Sequence, residues 1–178
     1  MKKLTHQEIE KKRISLEASK TIKRYPVSVL CDNIRSIYNV GSIFRTSDAA
    51  LIEKLYLTGY TPYPPRAEIE KVALGSTGSV PWQYFENPIE AINILRNVGV
   101  KIVSLEITDN CRKYYEITKA DFPLALILGN ELTGVSGELI QASDFSIEIP
   151  QYGYKHSMNV AVAYGIAVFE MIKIFKES

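Results

Sequence analysis

Cysteine and histidine are scarce in this sequence, two of each among 178 residues. Cys31 and Cys111 lie far apart with no CxxC pair, which excludes a disulfide scaffold and a cysteine-rich zinc site. They read as two buried, reduced thiols of a cytosolic protein. His6 and His156 fall in neither HExxH nor a similar spacing, so a histidine triad or metal centre has little to work with. No metal is expected. Long apolar runs are missing too. The nearest, Val160 to Phe169, stops between Asn159 and Glu170, well short of the ~20 residues of a spanning helix. Met1 to Glu8 hold no apolar stretch of the secretory type. The expectation is a cytoplasmic protein with no membrane partner. There is no GxGxxG, no GxxxxGKS/T and no GxSxG. Gly75-Ser76-Thr77-Gly78-Ser79 lacks the lysine of a P-loop and reads as a turn. The expected chemistry of an oxidoreductase, a kinase or a hydrolase is therefore absent.

What is present is an ordinary globular composition, 46% hydrophobic and 23% charged, at one domain's length. The net charge of +1 conceals an asymmetry. Residues 1–25 carry eight bases and three acids, a net +5, while residues 26–178 carry 13 bases and 17 acids, a net −4. A basic arm on a mildly acidic body suits a polyanion partner. It equally suits a solvated helix packed on that body. Pro26 is the one boundary candidate, separating a 1–25 helical arm from a 26–178 body.

Residues 5–24 read as a helix with thinly spread apolar positions. The body alternates. Strand-like runs cover Val27–Cys31, Leu55–Thr58, Val100–Ile107, Leu124–Leu128 and Phe145–Ile149. Helical spacing covers 39–51, a helix opened by Asn87-Pro88, a short one opened by Ser136, and a strongly periodic one over Asn159–Phe175. A loop rich in proline and tyrosine spans Tyr60 to Arg66. The alternation predicts an α/β fold, a mostly parallel sheet flanked by helices.

Three segments ask for a further explanation. Asn33 to Thr46 follows the first strand, with Asn39 a candidate helix N-cap at a strand-to-helix turn. Arg45 shares a helix face with Ser42 and with Asp48, and a surface ion pair with Asp48 would account for it. Leu126 to Ser136 runs from an apolar strand into Gly129, Glu131 and Gly134. Ligands of open α/β sheets bind beyond such strand ends, and Glu131 at that rim could accept from donors. Ile147 to Val160 leaves a strand at Pro150 and opens the last helix through Ser157-Met158-Asn159. Either Ser157 or Asn159 could be its cap.

Taken together and in order, N-x-G-x-I-x-R-T, L-G-N-E-x-x-G-V-S and I-P…S-M-N-V-A resemble the three-motif signature of the SpoU (TrmH) branch of SPOUT RNA 2′-O-ribose methyltransferases. The resemblance covers about residues 27–175. It implies a deep C-terminal trefoil knot, a homodimer, and S-adenosylmethionine as methyl donor with S-adenosylhomocysteine as product. It implies catalytic or active-site roles for Arg45, Asn39, Glu131, Ser157 and Asn159. It places the cofactor on Leu128, Gly129, Ile149, Ser157 and Met158, with Leu105 added from the preceding strand. The implied substrate is RNA, tRNA by preference and rRNA otherwise. In such dimers the arginine often serves the partner's cofactor site. No L30e-like RNA-binding domain precedes the body, and Met158 stands where leucine is commoner, a volume-conserving change. Two other readings stay open: a knotted domain that holds RNA or S-adenosylhomocysteine without turnover, and an α/β domain for a small metabolite.

Overall fold

Leu124–Leu128 is apolar at all five positions and all five are buried, which a strand achieves only when helices cover both faces of its sheet. A computed structural model describing residues 1–177 shows that arrangement. Seven strands, β1 (Tyr25–Asp32), β2 (Ile52–Thr58), β3 (Trp82–Phe85), β4 (Lys101–Leu105), β5 (Cys111–Lys113), β6 (Leu124–Leu128) and β7 (Phe145–Glu148), form one sheet. Their order is β3-β2-β1-β6-β4-β7-β5, and every pairing is parallel.

Alternate strand residues feed two cores. Val29, Cys31, Leu55, Leu57, Leu126 and Leu128 face α3 (Ile37–Ala50), α4 (Ala67–Ala73) and α8 (Val160–Glu177). Leu30, Tyr56 and Ile127 face α6 (Pro88–Asn97) and α7 (Gly137–Gln141). The last helix keeps its expected face, burying Tyr164, Ala167, Val168, Met171 and Ile172 against β1 and α3. Tyr164 is fully buried, and its hydroxyl meets Ser47 Oγ at 2.8 Å, which satisfies both polar groups inside the core. Burial also pushes the Tyr164 phenol pKa up.

Several expectations need correction. The arm is two short helices, α1 (His6–Glu10) and α2 (Leu16–Ser19), because Ser15 caps a new start: its Oγ accepts from Ala18 N at 3.1 Å. Pro26 lies inside β1 rather than at a boundary. Arg24 fastens the arm to the body, donating to the carbonyls of Ser19, Ile52 and Ser79. The Gly75–Ser79 turn contains one helical turn, α5 (Ser76–Ser79), entered through Gly75 at φ +89°. Asn39 is not the cap of α3. Ser36 is, with Oγ accepting from Asn39 N, so Asn39 and Gly41 sit inside the helix. Of the two candidate caps of α8, Asn159 is the one used, accepting from Ala161 N at 2.9 Å and Val162 N at 3.3 Å. Cys31 is buried, but Cys111 is only half-buried on the edge strand β5. Helix α4 and strands β3 and β5 have no counterpart among the elements expected from the sequence.

Candidate active site at the carboxyl rim of the sheet

A parallel sheet ends all its strands at one rim, and loops leaving that rim build the crevice where ligands bind. Cys31, Leu128, Leu105 and Ile147 lie in register there on four neighbouring strands. Each motif of the sequence leaves the sheet from this line.

Glu131 stands at its centre. Its carboxylate accepts from Arg35 N at 2.8 Å, Ser36 N at 2.9 Å and Asn39 Nδ2 at 2.7 Å. Asn39 Oδ1 accepts in turn from Asn159 Nδ2 at 3.0 Å. One hydrogen-bonded chain thus joins all three motifs through Glu131, Asn39 and Asn159. Partial burial opposes ionisation of Glu131, but the Arg35 and Ser36 amides and Asn39 outweigh it and hold its pKa below the usual carboxylate range.

The loop from Gly129 to Ser136 is fixed by further bonds. Asn130 Oδ1 accepts from the amides of Leu132 and Thr133, and its Nδ2 donates to the Asn33 carbonyl and the Tyr60 hydroxyl, both at 2.7 Å. Glu106 Oε2 accepts from Val135 N at 3.0 Å, and Asp32 Oδ2 accepts from Ser136 N at 2.8 Å. Neither Asp32 nor Glu106 is among the site residues expected from the sequence. A single acid at a strand end has no signature, and their positions just after β-type runs were the only signal. A Cβ on Gly129 would lie 2.2 Å from the Gly134 and Val135 backbone, so glycine is required there by the loop itself.

On the other side of the crevice the chain is open. None of the backbone N–H groups of residues 151–158 has an acceptor among the described residues. This segment borders a cleft of about 380 Å³ lined by Ile107, Pro150, Gln151, Gly153, Lys155 and His156 among others, within the range of small-molecule sites. Leu105 and Leu128 pair at the rim, with Gly129 and Ile149 following β6 and β7, whereas Ser157 is exposed and Met158 half-buried in the open segment. The cleft is lined by chain neighbours of Leu105, Ile149 and Ser157 rather than by the residues themselves, and by nothing adjacent to Leu128 or Gly129. Gln151 Nε2 donates to the Ile149 carbonyl at 2.8 Å, holding the chain as it leaves the rim.

Two predicted site residues stand apart. Arg45 lies six residues beyond Asn39 on α3, about 9 Å along the axis and on a different face. It is exposed and, among the described residues, bonds to nothing. The expected pair with Asp48 is not formed, since Asp48 accepts from Ser79 Oγ at 2.5 Å instead. Ser157 has no bond to the Glu131 chain. Among the described residues no three metal-binding side chains converge, and no helix is long and apolar enough to cross a membrane.

This fold and rim belong to a known class. The SpoU rRNA Methylase family model matches residues 26–169, and the chain belongs to that family. It is 36% identical over 146 residues to the tRNA (guanosine(18)-2′-O)-methyltransferase of Aquifex aeolicus, covering 80% of this chain and 66% of that one. It is 32% identical over 143 residues to a 23S rRNA (guanosine(2553)-2′-O)-methyltransferase of Bacillus subtilis, covering 80% and 56%. The chain therefore spans less than two thirds of either curated relative. Among solved structures, the A. aeolicus TrmH/SpoU tRNA modifying enzyme superposes with a TM-score of 0.81 at 30% identity, over 95% of this chain and 85% of that one. An AdoMet-bound rRNA methyltransferase from Sinorhizobium meliloti gives 0.79 at 31%, over 85% and 57%.

Proposed function

We propose that this chain is a homodimeric, metal-independent RNA ribose 2′-O-methyltransferase that uses S-adenosylmethionine, with tRNA its preferred substrate and rRNA the alternative. The observation that carries the reading is the bonded chain Glu131–Asn39–Asn159, which gathers the three motifs at one rim of the sheet. The relatives' names, guanosine 2′-O-methyltransferases of tRNA and of rRNA, support it.

The residues fit the cofactor. Leu105, Leu128, Gly129, Ile149, Ser157 and Met158 would hold it, and the acceptor-free amides of residues 151–158 match the hydrogen-bonding edge of an adenine and ribose. S-adenosylmethionine supplies an electrophilic methyl group when bound. The protein's task is then alignment and charge. Arg45 clamps a substrate phosphate and stabilises the alkoxide that develops on the ribose 2′-oxygen as the hydroxyl proton leaves to that phosphate or to the arginine. Asn39, Asn159 and Ser157 orient the ribose, while ionised Glu131 keeps Asn39 turned so that its carbonyl faces Asn159.

Arg45 faces away from the Glu131 chain, which suits service to the site of a second copy. Val162, Ile166 and Phe169 form an exposed apolar stripe on α8, spaced to share one helix face, that the second copy would cover. The chain leaves β7 beyond β4 and returns to pack α8 on β1 and α3, a route that accommodates the trefoil knot of the family. The residues before β1 form an arm, pinned at Arg24 to the catalytic body that begins with that strand.

Labelled methyl transfer into unmodified tRNA and rRNA transcripts tests the reading. Arg45→Ala is expected to lower transfer at least a hundredfold while S-adenosylmethionine affinity stays within about twofold, as for loss of a transition-state contact. Full activity of Arg45→Ala would remove the assigned role.

A further inference from the structure

The Tyr60 loop takes no part in the chemistry above. Tyr60 is 62% exposed, yet the residue is tied at both ends. Its backbone N–H donates to Asn33 Oδ1 at 3.1 Å, and its hydroxyl accepts from Asn130 Nδ2 at 2.7 Å. The residues either side are braced as well. The Gly59 carbonyl accepts from the Tyr84 hydroxyl at 2.8 Å, and Gly59 turns at φ +61° against Asn33. Thr61 Oγ1 accepts from Ile34 N at 2.9 Å and donates to the Cys31 carbonyl at 3.2 Å. Among the described residues no other ring and no cation stacks on Tyr60.

Fixing a large ring while leaving its faces in water costs side-chain entropy and buries little apolar surface. Such an arrangement does little for the stability of the protein alone. It holds an aromatic plane at a set position relative to the Asn130–Glu131 loop. Arg35, exposed and with no side-chain partner among the described residues, emerges from the same rim, since its amide is bonded to Glu131. Tyr38, 61% exposed, follows on the first turn of α3. Rigid aromatic faces beside free guanidinium groups are the means by which proteins take up unpaired RNA bases.

We propose that Tyr60 is a stacking platform for an unpaired base of the RNA substrate next to the ribose that is methylated, with Arg35 engaging the adjoining backbone phosphate. The inference deepens the RNA methyltransferase reading and rests on it. It narrows the substrate to a nucleotide in a loop, bulge or single strand, because bases stacked in an A-form helix offer no free face.

The test compares wild type with Tyr60→Ala, Tyr60→Phe and Tyr60→Trp. Methyl transfer into unmodified tRNA and rRNA transcripts is measured together with S-adenosylmethionine binding by calorimetry. Tyr60→Ala is expected to raise the RNA KM roughly ten- to hundredfold, the range for losing one stacked base. Its kcat should fall far less, and its cofactor affinity should hold. Phe and Trp keep a ring without the hydroxyl, and each should restore most of the KM. An unchanged KM in Tyr60→Ala would overturn the platform. So would equal loss in all three variants, which would assign the effect to the hydroxyl bond with Asn130. A smaller species for Tyr60→Ala in sedimentation would show that a second copy covers the ring, which also overturns it. If wild type transfers no methyl group, the methyltransferase reading falls. Filter binding of the same transcripts to wild type and Tyr60→Ala then still decides the platform.

Discussion

The two chain segments that flank the candidate crevice are built in opposite ways. Residues 129–136 are bonded from every side: Asp32 and Glu106 hold consecutive amides, Asn130 holds two more, and Glu131 reaches back to the first motif. Residues 151–158 hold none of their own amides and expose Tyr152 and Tyr154 almost completely. The first segment is organised before a ligand arrives. The second leaves its hydrogen-bonding capacity unspent among the described residues, as the proposed cofactor site requires. Affinity gains from the former because no ordering cost remains there, and selectivity gains from the latter because its donors are satisfied only by a matching partner.

Substitution of glycines should expose the contrast most sharply. Gly129→Ala drives a Cβ into backbone 2.2 Å away that is bonded to two carboxylates and cannot withdraw. Urea unfolding should show a loss of about 3 kcal/mol or more, at the severe end for overpacking. A tolerated Gly129→Ala would mean that the first loop is not rigid. A smaller effect is expected from acid. The Glu131 pKa is depressed, so its contribution to stability is complete above the ordinary value of 4.5 and disappears as pH falls from there through the depressed folded value. Because the carboxylate is largely exposed, solvent screening keeps this below about 1 kcal/mol. Glu131→Gln should flatten the stability profile below pH 5 relative to wild type, and identical profiles would dissociate Glu131 from the rigidity of the loop. The smallest effect is reserved for the open segment. A Cβ on Gly153 meets nothing, so Gly153→Ala should change stability by no more than about 0.5 kcal/mol. A large loss there would erase the contrast.

Legibility in the sequence followed the same division between side-chain pattern and backbone contact. β6 was readable to the residue because five apolar positions in a row leave little else. The long helix α8 was readable because its buried face repeats from Tyr164 to Ile172, over more than two turns. Helix α4 and strand β5 span only seven and three residues, too few for a period to stand out. Strand β5 also carries Arg112 and Lys113, as edge strands often do. At the site, Glu131 was readable as an acceptor. Its donors were not, because two of them are main-chain amides nearly a hundred positions away and amides have no letter in the sequence. The cap of α3 was misread for a related reason. Asn39 is a good capping residue, but Ser36 lies one turn earlier, and Asn39 is engaged with Glu131 and Asn159.

The sheet order also sets a timetable for the chain as it is made. Strand β1 is central, yet its partner β6 follows almost a hundred residues later, with Val27 opposite Leu124. At ribosomal speeds of about 5–20 residues per second, β1 waits roughly 5–20 seconds with one side unpaired. Strands β2 and β3 can line up on its other side meanwhile, but the seam between β1 and β6 stays open until β6 is made, and only the β7 pairings close after it. An emerging half-sheet with an apolar open edge is a natural client for chaperones. Slow synonymous codons between β3 and β6 should lengthen that exposure and lower the yield of folded protein without changing a single residue.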